Sequence, residues 1–277
     1  MRDDISPGLA TVGRELIVIA VLLPIVIRGV LAKLPALTKR DWVIIALLGL
    51  AGGGPHIALQ WLGLHYTTAA SGVLYFSTTP IFILLMQVPL GDRVYLRQWA
   101  GVATSFCGAA IIATQGDIQA LTLNVGDLCA IFSMAMWAGY TVLLGQRRDP
   151  LSASELLAMV CAFGGLFMLP WLVFEAFTTM RIALTLSGTL AVLYSAIGSL
   201  LLAFVGWSYV VARMGPSRAG VTMHLMPAIG VLLSAIFLEE YPHWFHFVGI
   251  AMILAGVALS VRKPKISTRL PRNYFDA

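Results

Sequence analysis

Four polar side chains sit in runs that are otherwise apolar: Arg14, Glu15, His56 and Gln60. An arginine inside a membrane helix costs about 2.5–3.5 kcal/mol on insertion scales, so such a residue faces a bundle interior or water. There Arg14 can pair with an anionic group of a ligand. Its structural alternative is to snorkel to the outer end, about two turns away, or to bond carbonyls. Adjacent helical residues point about 100° apart, so Arg14 and Glu15 need not pair with each other. Glu15 is instead a candidate proton-coupling carboxylate. Gly49, Gly53, His56, Gln60 and Gly63 recur at helical spacing as a small, polar stripe. The glycines admit close neighbours, and the polar heads line a cavity or bond across helices. His56 titrates near neutral pH and can relay protons. Its alternative role is a bond to a carbonyl where Gly52, Gly53, Gly54 and Pro55 loosen the helix.

These residues must be carried by membrane helices. Of 277 residues, 59% are hydrophobic and 11% charged, against about 45–50% and about 25% in soluble domains. Apolar runs near the roughly 20 residues that cross a bilayer follow one another, and none alternates with the period of a barrel strand. Nine spans are expected, at 7–28, 42–64, 67–90, 98–116, 124–146, 155–177, 186–210, 216–238 and 243–262. Pro7 and Pro216 suit first helical positions; Asn124 and Ser152 or Ser154 suit N-caps. The polar start and the absence of a small-residue cleavage site argue against a cleaved signal peptide. Cys107, Cys129 and Cys161 all fall in apolar runs and read as buried small residues.

The sequence is written twice. Residues 67–92 and 216–239 align with Pro80 on Pro227, and the acids Asp92 and Glu239 each follow twelve positions later. Gly101 and Gly108 then correspond to Gly249 and Gly256. With the 28–41 loop in the cytoplasm, that side collects fifteen arginines and lysines and the outer side two, Arg2 and Arg181. The N-terminus then faces outward and the C-terminus inward. The repeated span runs inward in the first half and outward in the second, so the halves are inverted repeats.

Mid-helix prolines free carbonyls near the membrane centre, where inverted repeats place their sites. Tyr75, Ser77 and Thr78 precede Pro80, and His224 precedes Pro227. With Trp137 and Tyr140 they are the candidate pocket lining, although aromatics in membrane helices also serve as packing or interface anchors. Pro80, Pro227, Asp92 and Glu239 have structural roles; the acids sit near helix C-termini, where the dipole disfavours them. His243 and His246 beside Glu239 and Glu240 read as interfacial side chains, and no metal site, cofactor, nucleotide loop or nucleophile triad is expected.

The ordered set of patterns resembles the drug/metabolite transporter superfamily, EamA type. Its second half is carried by GDLCAIFSMAMWAGYTVLL (126–144), PAIGVLLSAIFLEE (227–240) and VGIAMILAGVALS (248–260). Its first half is carried by SPGLATVGREL (6–16) and TTPIFILLMQVPLGD (78–92), with Asp92 where glutamate is usual. The resemblance implies an all-α polytopic membrane protein of two inverted repeats. These are 1–117, with four helices, and 124–262, with five, followed by a polar tail at 263–277 that contacts the anionic inner leaflet. Family members have ten helices, so the helix equivalent to 124–146 is missing from the first half. In this fold that helix helps line the central cavity.

The implied function is secondary active export of a small organic metabolite, amino acid-like or drug-like, by alternating access across the plasma or inner membrane. Protons are the first candidate for the driving ion. The expected partners are a small-molecule substrate and the lipid bilayer, with no nucleic acid, in a monomer or homodimer. Two other readings are a non-transporting truncated protein or scaffold, and a membrane enzyme acting on lipid-linked substrates through His243, His246, Glu239 and Glu240.

Overall fold

Helices begin where short polar side chains accept from the free N–H groups of a first turn, or where a proline, having no N–H, leaves one fewer to satisfy. The computed structural model describes residues 5–66, 74–91, 94–117, 124–178, 185–237 and 242–261. Helix α1 spans Pro7–Lys33 with proline in its first turn. Helix α2 (Lys39–Gly52) opens on a reciprocal cap: Asp41 N–H donates to Thr38 Oγ1, and Thr38 N–H donates to Asp41 Oδ2 at 2.9 Å. Helix α3 (Gly54–Tyr66) continues the same span after a break at Gly53. Helices α4 (Thr79–Gln87) and α5 (Leu96–Thr114) complete the first half.

The second half opens with α6 (Val125–Gln146), where Asn124 and Asp127 cap each other as Thr38 and Asp41 do. Ser152 and Glu155 repeat the device ahead of α7 (Ala153–Thr178). Both N-caps match the expected positions. Helix α8 (Leu186–Tyr194) passes through a π-helical stretch, Ser195–Leu202, into α9 (Ala203–Met214). Then follow α10 (Pro216–Thr222), α11 (Leu225–Phe237) and α12 (Trp244–Val261).

Every element described is helical, in keeping with the all-α expectation. Among the described residues six segments are long and apolar enough to cross a membrane: 7–36, 39–63, 125–146, 153–178, 186–214 and 216–237. Leu74–Gln87 and Trp244–Ser260 are shorter and apolar. Helix α5 carries more small and polar residues and is matched to α12 along its length. Large apolar side chains such as Ile25, Phe177, Ile229 and Phe237 point outward, as a lipid environment requires. The chain is an integral, multi-pass membrane protein.

Equivalent helices of the two halves pack antiparallel, as inverted repeats require. The first turn of α1 meets the end of α7, where Glu175 accepts hydrogen bonds from Gly8 N–H (2.9 Å), Leu9 N–H (3.3 Å) and Trp171 Nε1–H (2.8 Å). At the other end Lys33 pairs with Glu155 at 2.7 Å. Gly101 of α5 faces Gly256 and Ser260 of α12, and Gly108 faces Gly249. In α4 Gln87 bonds Ser217, and Ile83 packs on Gly220 of α10. The repeated glycines are therefore points where backbones touch.

The prolines do more than kink their spans. A two-residue turn, Ser77–Thr78, interrupts the chain just before Pro80, which sits in the first turn of α4. Met223–His224 forms the matching turn before Pro227. Asp92, Glu239 and Glu240 lie outside the described residues, as does the 263–277 tail.

Candidate functional site

A cavity of about 310 Å³ lies between α3, α6, α9 and the two interrupted spans. Its wall shows the repeat. At the 147-residue offset that carries Pro80 onto Pro227, His56, Ile57, Gln60 and Phe76 correspond to Ala203, Phe204, Trp207 and Met223. All eight line the cavity. Met134 and Trp137 of α6, with Ser199, Thr222 and Met226, complete it.

Each span facing the cavity from these pairs is irregular there, and the irregularities also correspond. The break at Gly53 is repeat-equivalent to position 200, inside the π-helical stretch Ser195–Leu202. The turn at Ser77–Thr78 matches the one at Met223–His224. Single-turn π segments concentrate at functional sites. Irregular backbone at membrane depth is tolerated where it is enclosed by protein or lines a cavity.

His56 follows the Gly53 break. Its Nδ1–H donates to the Ser133 carbonyl at 2.8 Å, while the Ser133 hydroxyl donates to the His56 carbonyl at 3.0 Å. This ties α3 to α6, and the ring presents one face to Trp137 at 5.5 Å. Trp137 is the centre of an aromatic group: Tyr140 and Phe204 lie 5.0 Å away and Trp207 5.9 Å, centroid to centroid. Trp207 Nε1–H donates to Thr141 Oγ1 at 3.1 Å. The Trp137 indole N–H is buried without a partner.

The wall is divided chemically. The first half contributes His56 and Gln60, whose repeat counterparts are the apolar Ala203 and Trp207; the second half also contributes Phe204, opposite Ile57. No lining residue carries a formal charge at neutral pH.

Arg14 and Glu15 lie behind this wall. Arg14 is buried; its Nη1–H donates to Ser195 Oγ at 3.1 Å, while Nε and Nη2 have no partner. Ser195 opens the π-helical stretch, one turn before Ser199. Glu15 takes the N–H of Gly54, the first residue of α3, and leaves Oε2 unpartnered. It is held in a glycine cradle: a Cβ at Gly53, Gly54 or Gly164 would run into its carboxylate. Among the described residues no ion pair joins Arg14 to Glu15.

Of the pocket candidates, the cavity wall contains His56, Gln60 and Trp137. Tyr140 is buried behind Trp137 and bonds Ser208. Tyr75 packs on Ala130 and Met134, and its neighbour Phe76 reaches the cavity instead. Thr78 Oγ1–H donates to the Tyr75 carbonyl at 2.6 Å, and Ser77 is buried in the turn. His224 is buried with neither ring nitrogen partnered and is not part of the wall. Phe204, Trp207, Met134 and Met223 were not expected from the sequence. Applying the repeat offset to Gln60 would have found Trp207, and applying it to Ile57, the neighbour of His56, would have found Phe204. His243 N–H donates to His246 Nδ1 at 2.8 Å, so this pair opens α12. No cluster of metal-ligating side chains occurs among the described residues.

Comparison with known proteins places these features. The model of the EamA-like transporter family matches residues 1–114 and again 124–262. A protein of Streptantibioticus cattleyicolor named as a probable terminal-alkyne amino-acid exporter is 32% identical over 81% of this chain and 74% of its own. An uncharacterized transporter of Archaeoglobus fulgidus is 28% identical, over 80% and 77%. The uncharacterized transporter YetK of Bacillus subtilis is 27% identical, over 94% and 80%. A crystal structure with 21% identity superposes with a TM-score of 0.71, covering 92% of this chain and 86% of the other, and shares the fold.

Proposed function

This chain is a member of the EamA-like transporter family, and we propose that it exports a small amino acid-like metabolite with an apolar side chain. The observation that carries this reading is the cavity walled by four repeat-related pairs, whose polar members, His56 and Gln60, come from the first half and whose aromatic members Phe204 and Trp207 come from the second. A hydrogen-bonding head turns toward α3, and an apolar body lies against the Trp137 group. An apolar pocket with a few placed polar groups is the usual form of a small-molecule site. Arg14, with two unpartnered nitrogens behind the π-helical wall, is the charge complement for a carboxylate. The relative named as an amino-acid exporter supports this class.

Transport proceeds by alternating access. The four backbone irregularities around the cavity come in repeat-related pairs, so exchanging the conformations of the two halves exchanges which side is open. The driving ion is the proton. Of the two coupling candidates Glu15 is favoured: its Oε2 is unpartnered, whereas Ser133 engages His56 twice. The protein resides in the plasma or inner membrane with its C-terminus in the cytoplasm, following the arginine and lysine distribution. It acts as a carrier and not as an enzyme.

The test is counterflow in proteoliposomes containing the purified protein, loaded with each unlabelled amino acid in turn. Neutral apolar amino acids should exchange, while lysine and glutamate should not. Arg14→Ala and His56→Ala should each lower exchange about tenfold, the loss of one charge-assisted or buried hydrogen bond. The reading fails if no amino acid exchanges, or if both variants exchange like the wild type. Glu15→Gln should retain exchange but lose accumulation driven by a pH gradient; accumulation equal to wild type would remove the coupling assignment.

A further inference from the structure

A second cavity, about 370 Å³, opens where the α1–α2 connection meets the α6–α7 connection. Ala36, Ile44 and Pro150 are its apolar lining, together with Thr38, Gln146 and two arginines, Arg40 and Arg148. The charges nearby are already engaged. Asp41 accepts from Thr38 N–H and Oγ1–H at 2.9 and 2.7 Å. Arg147 is paired with Asp149, and Lys33 with Glu155. Arg40 and Arg148 have no ion pair or hydrogen bond among the described residues. They are exposed and share one concavity. The cavity thus offers two guanidinium groups with no hydrogen bond or ion pair among the described residues; Arg40 feels the charge of its neighbour Asp41, whose carboxylate is held by Thr38 in capping the helix.

The surroundings indicate what fills it. Val43 and Leu47 follow Arg40 at helical spacing on α2 and are exposed, as is Trp42. An apolar track running from a basic concavity, on a helix whose first turn also carries an exposed tryptophan, is the profile of a membrane interface. We propose that this cavity is a headgroup site for an anionic phospholipid, whose phosphate lies between Arg40 and Arg148 and whose acyl chain follows Val43 and Leu47. Guanidinium groups suit phosphate because their N–H pairs match its oxygens. Assignment to the cytoplasmic leaflet rests on the orientation proposed above; the site itself does not.

The experiment is native mass spectrometry of the full chain, delipidated in detergent and titrated with dioleoyl phosphatidylglycerol, dioleoyl phosphatidylcholine or inorganic phosphate. Phosphatidylglycerol should bind more tightly than phosphatidylcholine. Arg40→Ala and Arg148→Ala should each weaken that binding about fivefold, and the pair about thirtyfold. Arg213→Ala, which removes a cation stacked on Tyr209 away from this cavity, should leave it unchanged. If the alanine pair fails to fold, Arg40→Lys with Arg148→Lys, which keeps the charge but not the planar fork, should show an intermediate loss. The proposal is overturned if the double variant binds phosphatidylglycerol like wild type, if the two lipids bind equally, or if inorganic phosphate displaces the lipid at equal concentration. Leaflet is read separately by accessibility of a C-terminal tag in intact cells. An exposed tag would reverse the orientation and leave the lipid titration standing.

Discussion

Replacing Gly108 by alanine tests whether α5 and α12 meet backbone to backbone. A Cβ at this position would lie 2.6 Å from the Gly249 carbonyl oxygen, 2.9 Å from Met252 Cβ and 3.0 Å from Ile253 N. The closest approach is about 0.8 Å short of the 3.4 Å at which ordinary contact begins. Two of the three atoms are backbone of a regular helix and cannot turn aside, so the helices must part. Overpacking of this kind costs about 1–3 kcal/mol. A 2.6 Å approach to backbone puts this site in the upper part of that range, about 2–3 kcal/mol, and alanine returns at most about 1 kcal/mol through its helix propensity, leaving a net loss of roughly 1–2 kcal/mol. The assay is thermal unfolding of the purified protein in one detergent. The variant should unfold about 2–8 °C lower, taking about 2–4 °C per kcal/mol for a chain of this order. Gly230→Ala is the control, because nothing lies within 4 Å of its added methyl; it should unfold at or above the wild-type temperature. If Gly108→Ala matches or exceeds wild type, the close contact does not exist and the seam between the halves is packed otherwise.

Other substitutions probe the remaining joints. Glu175→Gln leaves the α1 N-terminus without its carboxylate and should lower stability by about 1–2 kcal/mol in the same unfolding assay, the scale of a lost cap. Gly164→Ala would place a methyl 2.8 Å from Gly54 N and against the Glu15 carboxylate; it should reduce both unfolding temperature and gradient-driven accumulation, whereas Gly13→Ala, with no neighbour within 4 Å, should change neither. Trp137→Ala empties the centre of the aromatic group and should cost about 3–5 kcal/mol, visible as a large drop in unfolding temperature that Trp137→Phe mostly avoids. Ser133→Ala removes a hydroxyl that bonds the His56 carbonyl and should cost about 1 kcal/mol, with substrate exchange measured in parallel to separate positioning of the ring from folding.

How far the sequence could be read varied with the kind of signal. Span existence and repeat followed from long-range features, namely apolar length, the Pro80/Pro227 register and the paired glycines. The loosened helix at Gly52–Pro55 was visible because three glycines and a proline are local in their effect. The π-helical stretch Ser195–Leu202 was not, since SAIGSLLL contains no breaker beyond Gly198 and its contact with α1, through Arg14 and Ser195, is long-range in sequence. The same limit applied to the cavity. Spans that are apolar all round do not reveal which face turns inward, so nothing in the pattern sets Phe76 above Tyr75, or marks Phe204 and Trp207 among the other aromatics. Polar residues in apolar runs were more informative: His56 and Gln60 reach the wall, and Arg14 and Glu15 are buried directly behind it. His224 is the exception, buried but turned away from the wall.

The two fastenings between α1 and α7 restrict the kind of movement this molecule can make. Glu175 grips the first amides of α1, and Lys33 reaches Glu155 near the opposite end. Sliding one helix past the other by even a fraction of a turn would open both fastenings together, in opposite senses, with no compensating register nearby. Swivelling about the long axis of the pair strains neither. The two helices therefore behave as an axle bolted at each end, and a structural cycle that keeps both bolts closed must be a rocking motion and not a piston stroke. Crosslinks between α1 and α7 should then be tolerated during turnover, while crosslinks that bridge the cavity should stop it.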